Sequence, residues 1–129
     1  MKAAMAEVLK LETDGECKTR CAVFMPDHIH LLVTLGNRAD LSAVIRNLKG
    51  RLTPRMRELQ ARWQPSFYDH KLRSSDDLLP VFLYIFLNPY RAGLCLADQT
   101  YPGYHCCPED WSWFEALTKS SCPEPEWLQ

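Results

Sequence analysis

At 129 residues, 47% of them hydrophobic, the chain is long enough for one domain with a real core and too short for two. The formal net charge of −1 excludes a uniformly basic or acidic protein, and no run of 18 apolar residues exists that would make a transmembrane helix. The N-terminus lacks a basic-then-apolar export signal, so a cytoplasmic location is expected. For the same reason the six cysteines (17, 21, 95, 106, 107, 122) read as reduced thiols rather than as a disulfide framework. The near-neutral balance conceals a segregation. Residues 38–73 carry nine Lys/Arg against three acids, a net +6, whereas residues 98–129 carry six acids against Lys119, a net −5. A basic middle suits a phosphate-binding face, and the plainer alternative is a solvated helical face.

In chain order, residues 3–12 are good helix formers with a short apolar stripe at Met5, Val8, Leu9 and Leu11. A turn at 13–16 leads into a β-hairpin, with strands expected near 18–25 and 28–35 around the Pro26-Asp27 turn. Alternation along the second strand places His28 and His30 on one face, roughly 7 Å apart at the backbone, with Ile29, Leu31, Val33 and Leu35 on the other as core. Two imidazoles on one strand face can hold a divalent metal; taken alone, such a pair reads more plainly as half-buried histidines. Asp40 is an expected N-cap for a helix from Leu41, with Leu41, Val44, Ile45 and Leu48 as its buried stripe. Arg46, Lys49 and Arg51 fall on the exposed side. Gly50 and Pro54 predict a break near 51–53 and a second helical piece at about 54–61.

The run Trp63 to Arg73 is aromatic, basic and proline-bearing, a loop or short extended segment suited to base stacking and phosphate contact, with Trp63 or Phe67 also fit to be a core anchor. Ser75, Asp76 and Asp77 read as a helix start, Pro80 belongs in the first turn, and Pro89 sets the end near Asn88. Gly93 then permits a turn into an extended segment around 94–96. Beyond Asp98 a meandering stretch pinned by Trp111 and Trp113 is expected, and residues 114–129 form an acidic tail, the least ordered part, after a domain spanning 1–113.

Tyr84 and Asn88 are four apart on a helix and share a face. If that face covers the histidines, His28, His30 and the Asn88 side-chain oxygen surround a divalent metal, Mg²⁺ or Mn²⁺, although nitrogen ligands also admit zinc. Tyr84 then stands beside it as a nucleophile toward a phosphodiester, against the plainer reading of a core tyrosine. A separate zinc set from Cys17, Cys21, His105, Cys106 and Cys107 is conceivable, but its C-x3-C spacing and adjacent cysteines fit no standard pattern.

The string Phe24-Met25-Pro26-Asp27-His28-Ile29-His30-Leu31-Leu32-Val33 resembles the His-hydrophobe-His strand of the single-tyrosine, IS200-like transposases. Tyr84-Ile85-Phe86-Leu87-Asn88-Pro89-Tyr90-Arg91-Ala92-Gly93-Leu94 is similar to the end of their tyrosine helix. Leu48-Lys49-Gly50 and the run from Trp63 to Arg73 resemble the branch associated with repetitive extragenic palindromes (REP). The resemblance covers about residues 3–113. It implies an α+β, ferredoxin-like fold, a small antiparallel sheet with helices packed on it, and an enzyme that cuts and rejoins single-stranded DNA. Carried over residue by residue, His28, His30 and Asn88 are metal ligands and Tyr84 is the nucleophile, giving a 5′-phosphotyrosine link and a free 3′-hydroxyl without a nucleotide cofactor. Lys49, Arg73 and Arg91 stand at family-like positions for DNA contact, whereas Arg46 and Arg51 rest on charge alone and Trp63 on its aromatic ring. The implied partner is single-stranded or hairpin DNA in the nucleoid, bound by a monomer or homodimer.

Three departures stand out. Relatives open with a further strand, so the chain is expected to be N-terminally shortened; Pro80 lies in the tyrosine helix; and the end is acidic and cysteine-rich. The readings carried forward are a strand transferase, a DNA-binding remnant that cuts nothing, and a small metal-binding protein using His28, His30 and cysteines without nucleic acid.

Overall fold

The structure, a computed structural model, describes residues 2–13, 15, 17–36, 40–58 and 77–117. The expectations for Trp63 and Arg73, for a helix at 59–61, for the Ser75 cap and for the chain after 117 lie outside the described residues. In order the elements are α1 (Lys2–Thr13), β1 (Cys17–Phe24), β2 (Ile29–Leu35), α2 (Leu41–Glu58), α3 (Leu79–Arg91), β3 (Tyr104–Cys106) and α4 (Pro108–Phe114), followed by a 3₁₀ turn at Glu115–Leu117. The fold is α+β, and the described strands form a small sheet in the order β2-β1-β3. None of the described helices is long and apolar enough to cross a membrane.

Two compact units are formed. In the unit built from residues 19–33 and 79–117, β1 is the central strand, paired on both sides. Cys21, Ala22 and Val23 are accordingly fully buried. Among the described residues β2 is paired on one side alone, and this corrects the expected core. Ile29, Leu31 and Val33 are only half-buried and Leu35 is 44% exposed. Alternation identifies the two faces of a strand, but a strand at a sheet edge has less to bury either face against.

α3 is apolar on most of its circumference and buries Phe82, Leu83, Ile85, Phe86, Leu87 and Pro89. Fully burying one such large side chain stabilises by about 2 kcal/mol. Pro80, its second residue, sits where no intrahelical N–H is required. The helix does not stop at Asn88 but runs through Pro89 to Arg91. Burial of Pro89 and the cap beyond it outweigh the local preference of the residue before a proline. That cap is a Schellman motif: Gly93 takes a φ of 74°, its N–H donates to the Tyr90 carbonyl (3.1 Å), and the Leu94 N–H donates to the Pro89 carbonyl (2.9 Å).

The stretch after Asp98 is not a meander. β3 pairs antiparallel with β1, Tyr104 opposite Val23, His105 opposite Ala22 and Cys106 opposite Cys21. No strand forms at 94–96. α4 ends on the fully buried Phe114, whose ring meets Phe82 (5.6 Å between centroids) and Phe86 (5.7 Å) of α3. Trp111 and Trp113 pin the segment as expected, Trp113 edge-on to Phe82 at 5.0 Å. The buried Asp110 carboxylate accepts from Arg20 Nε and Nη2 (2.7 Å to the latter), from the Cys107 thiol (2.9 Å) and from Trp113 Nε1 (3.1 Å). These bonds, Arg20's first, hold its carboxyl far below the usual carboxylate range.

In the second unit, residues 2–18 and 34–58 together with 77–78 among those described, α1 packs on α2, with Val8, Leu11, Val44, Leu48 and Leu52 buried. Asp40 caps α2 as expected, accepting from the Ala43 N–H at 2.8 Å. The expected break at 51–53 is absent, and α2 continues through Pro54 to Glu58. The apolar positions 44, 48 and 52 keep one face buried across it, while Gly50 and Pro54 lie on the exposed side where water can reach the unpaired carbonyl. Thr53 Oγ1 also donates to the Lys49 carbonyl, at 2.6 Å. Cysteines 17, 21, 95, 106 and 107 are not in disulfides.

Candidate active site

The site begins at the hairpin turn. The Met25 N–H donates to the His28 carbonyl (2.8 Å), closing the Pro26-Asp27 turn. From across the unit, the Tyr101 hydroxyl donates to the Phe24 carbonyl (2.6 Å) and the Phe24 N–H to the Gly103 carbonyl (2.9 Å). His28 immediately precedes β2 and His30 lies within it. Their rings stand edge to face with centroids 4.8 Å apart, so the strand alternation places them together as expected.

Asp27 was not singled out by the sequence pattern, yet its Oδ1 lies 2.6 Å from His28 Nδ1. This contact holds the Asp27 carboxyl below its ordinary value. An ionised carboxylate can only accept, so Nδ1 donates in this contact, which orients the His28 ring. His30 is half-buried; burial first, and the charge of His28 second, push its pKa down, which keeps the imidazole neutral. Its Nε2 then accepts from the Asn88 side-chain amide at 3.2 Å.

Tyr84, Asn88 and Arg91 follow one another on α3 at spacings of four and three residues, which places them on one helical face. Tyr84 is 42% exposed, so it is not a core tyrosine. Its ring stands edge to face with that of His30 at 5.5 Å, and the Arg91 guanidinium carbon lies 5.8 Å from its centroid. Of the residues read from the sequence, His28, His30, Tyr84, Asn88 and Arg91 are therefore brought together. Arg46, Lys49 and Arg51 lie on α2 in the other unit, where Arg46 is exposed and Arg51 stands 3.8 Å from Glu7. Trp63 and Arg73 lie outside the described residues.

Among the described residues no three His, Cys, Asp or Glu side chains cluster so as to hold a metal. The thiol-rich zinc set of Cys17, Cys21, His105, Cys106 and Cys107 is thus not formed among them; burial instead raises the thiol pKa values of Cys21 and Cys106, the latter to about 11. A donor set at the histidines consequently depends on the Asn88 amide. The residues fit that role: imidazole nitrogens are metal donors, His30 Nε2 already accepts from the Asn88 amide, and a half-turn of that amide puts Oδ1 in the place of Nδ2 beside His30.

Residues 2–76 match the family model described as Transposase IS200 like, a span that includes the histidine hairpin and ends before α3. The REP-associated tyrosine transposase of Escherichia coli is 27% identical over 114 residues, covering 81% of this chain and 68% of that protein. A putative REP-associated tyrosine transposase of Haemophilus influenzae is 30% identical over 116 residues, covering 73% and 66%. The chain thus spans about two thirds of the length of these relatives. The solved structure of a REP-associated tyrosine transposase bound to a REP hairpin shares the fold, with a TM-score of 0.66 at 24% identity over 96% of this chain and 70% of that one. With more than half of its residues matched by the family model, the chain belongs to the IS200-like transposase family.

Proposed function

We propose that this chain cuts and rejoins single-stranded or hairpin DNA by metal-dependent strand transfer through a 5′-phosphotyrosine intermediate. The observation that carries the reading is the convergence of Tyr84 and Asn88 of α3 on His28 and His30 of the hairpin. The names of the E. coli and H. influenzae relatives and the hairpin bound by the solved neighbour point the same way.

His28, His30 and Asn88 would hold Mg²⁺ or Mn²⁺, which when bound polarises the scissile phosphodiester and favours an ionised phenol. The exposed Tyr84 hydroxyl is free to meet a strand and attacks phosphorus: the Tyr84 O–P bond forms, the bond to the 3′-oxygen breaks, and that oxygen leaves as a protonated 3′-hydroxyl. Attack by a 3′-hydroxyl on the same phosphorus reverses the step and releases Tyr84, so the energy of the ester is conserved. Asp27 orients the His28 ring, and Arg91 supplies positive charge beside the tyrosine. Arg46, Lys49 and Arg51, with Arg73 and Trp63, are the basic and aromatic candidates for further contacts to DNA.

The test is chemical. Incubation with Mn²⁺ and labelled single-stranded DNA, followed by denaturation, leaves label covalently on the wild-type protein and none on Tyr84→Phe. Intact DNA binding with no retained label would leave the non-cutting DNA-binding reading in its place.

A further inference from the structure

Cys21 on β1 and Cys106 on β3 are neither donors nor the nucleophile of the proposed transfer site. Cys21 and Cys106 are direct partners in the antiparallel register. Two backbone bonds fix the type of that pairing: the Cys107 N–H donates to the Arg20 carbonyl (2.9 Å) and the Phe24 N–H to the Gly103 carbonyl (2.9 Å). The pairs 20/107, 22/105 and 24/103 are therefore the hydrogen-bonded ones. Cys21/Cys106 is a non-hydrogen-bonded pair, in which Cα atoms approach to about 4.5 Å and side chains lean together. Disulfides span Cα separations of about 4.4–6.8 Å and need close Cβ atoms, so this kind of site admits the bond with little backbone movement.

We infer that Cys21 and Cys106 are an oxidisable dithiol, converted by a small-molecule disulfide into a cross-strand link that fastens β3 to β1. Cys106 is the half-buried member and Cys21 is fully buried, so Cys106 reacts first. Its thiolate attacks one sulfur of the external disulfide, forming a mixed disulfide and releasing one thiol. The Cys21 sulfur, on losing its proton, displaces the second thiol; both protein thiols are oxidised, the reagent is reduced to two thiols, and both protons leave with them. Burial, the largest influence on the Cys106 thiol, makes the first attack slow at neutral pH. Cys107 is the neighbouring competitor, but its thiol already donates to Asp110 and its backbone belongs to the hydrogen-bonded pair with Arg20. Once formed, the link would lie two residues from Tyr104, whose ring packs edge-on at 5.1 Å against Phe86 of α3.

The test uses the full chain treated with oxidised glutathione, quenched by alkylation under denaturing conditions and analysed by intact mass and tandem mass spectrometry. The expected result is loss of two hydrogens and a Cys21–Cys106 linked peptide, retained in Cys107→Ser and lost in Cys106→Ser. A link between any other two cysteines, a stable glutathione adduct on Cys106 with Cys21 still alkylated, or no oxidation at all would overturn the inference. Since neither metal nor DNA enters the experiment, its outcome is independent of the strand-transfer reading.

Discussion

The side-chain amide of Asn88 lies 3.2 Å from Nε2 of His30 although 58 residues separate them in the chain. An amide in this place can donate to the bare imidazole or, turned over, present its oxygen to an ion. Asn88→Ala is expected to weaken Mn²⁺ binding by about ten-fold or more, as loss of groups that hold or orient a metal commonly does. Titration followed by electron paramagnetic resonance checks this, and an affinity equal to wild type would remove Asn88 from the ligand set.

Tyr84→Phe deletes one hydroxyl from an exposed ring whose packing on His30 and Arg91 is otherwise kept. Stability is expected to change by less than about 0.5 kcal/mol, the range for exposed sites, while covalent capture of DNA is abolished. Parallel denaturant melts and binding isotherms would separate this from loss of the fold or of DNA affinity.

Asp110→Asn is expected to cost about 2 kcal/mol at neutral pH, because Arg20 loses its ionic partner in a partly buried pair. The pH dependence follows from the depressed carboxyl. Above the unfolded value of about 4 the ionised carboxylate contributes in full. As pH falls below that value the unfolded chain takes up the proton first, so the contribution is lost progressively toward the depressed folded value. The wild type should therefore lose stability over this acid range more steeply than Asp110→Asn, as urea melts between pH 2 and about 5 would show.

At Gly93 the left-handed φ of 74° closes α3, and a Cβ added there meets nothing within 4 Å. The cost of Gly93→Ala is thus conformational rather than steric crowding, about 1 kcal/mol. A destabilisation several times larger in thermal melts would mean that the cap does more than end the helix.

Lys49→Gln tests the proposed contact of α2 with DNA. Affinity for single-stranded DNA should fall with rising salt, and removal of one phosphate contact should reduce the slope of log K against log salt by about 0.7. An unchanged slope would put the phosphate path elsewhere.

The legible parts of the molecule were those set by short-range periodicity. Alternation brought His28 and His30 together, and a four-residue spacing put Tyr84 and Asn88 on one face. What misled was the local vote of single residues: Pro54 and Pro89 both lie inside helices, because buried Leu48 and Leu52 on α2, and the buried stretch Ile85 to Leu87 with the Gly93 cap on α3, outweigh the missing N–H. Asp110 could not be read as a buried hub, since its main partner, Arg20, is 90 residues away and nothing in the local pattern of Pro-Glu-Asp-Trp distinguishes it from a solvated acid. β3 is three residues long, too short to show an alternation. The weak burial of β2 reflects its place at the edge of the sheet formed by the described residues, which is a property of topology and not of the strand.

The Tyr101 hydroxyl on the Phe24 carbonyl ties the segment between α3 and β3 to the base of the histidine turn. The aim of the two imidazoles is therefore partly under the control of a surface connection that contributes no ligand and no nucleophile. Connections of this kind drift readily in sequence and length. Divergence at 92–103 can thus retune the spacing of His28 and His30 with every chemical group of the site left in place. Two copies with identical site residues could in this way differ in the geometry of the site, a source of divergence that comparison of the motif alone would never register.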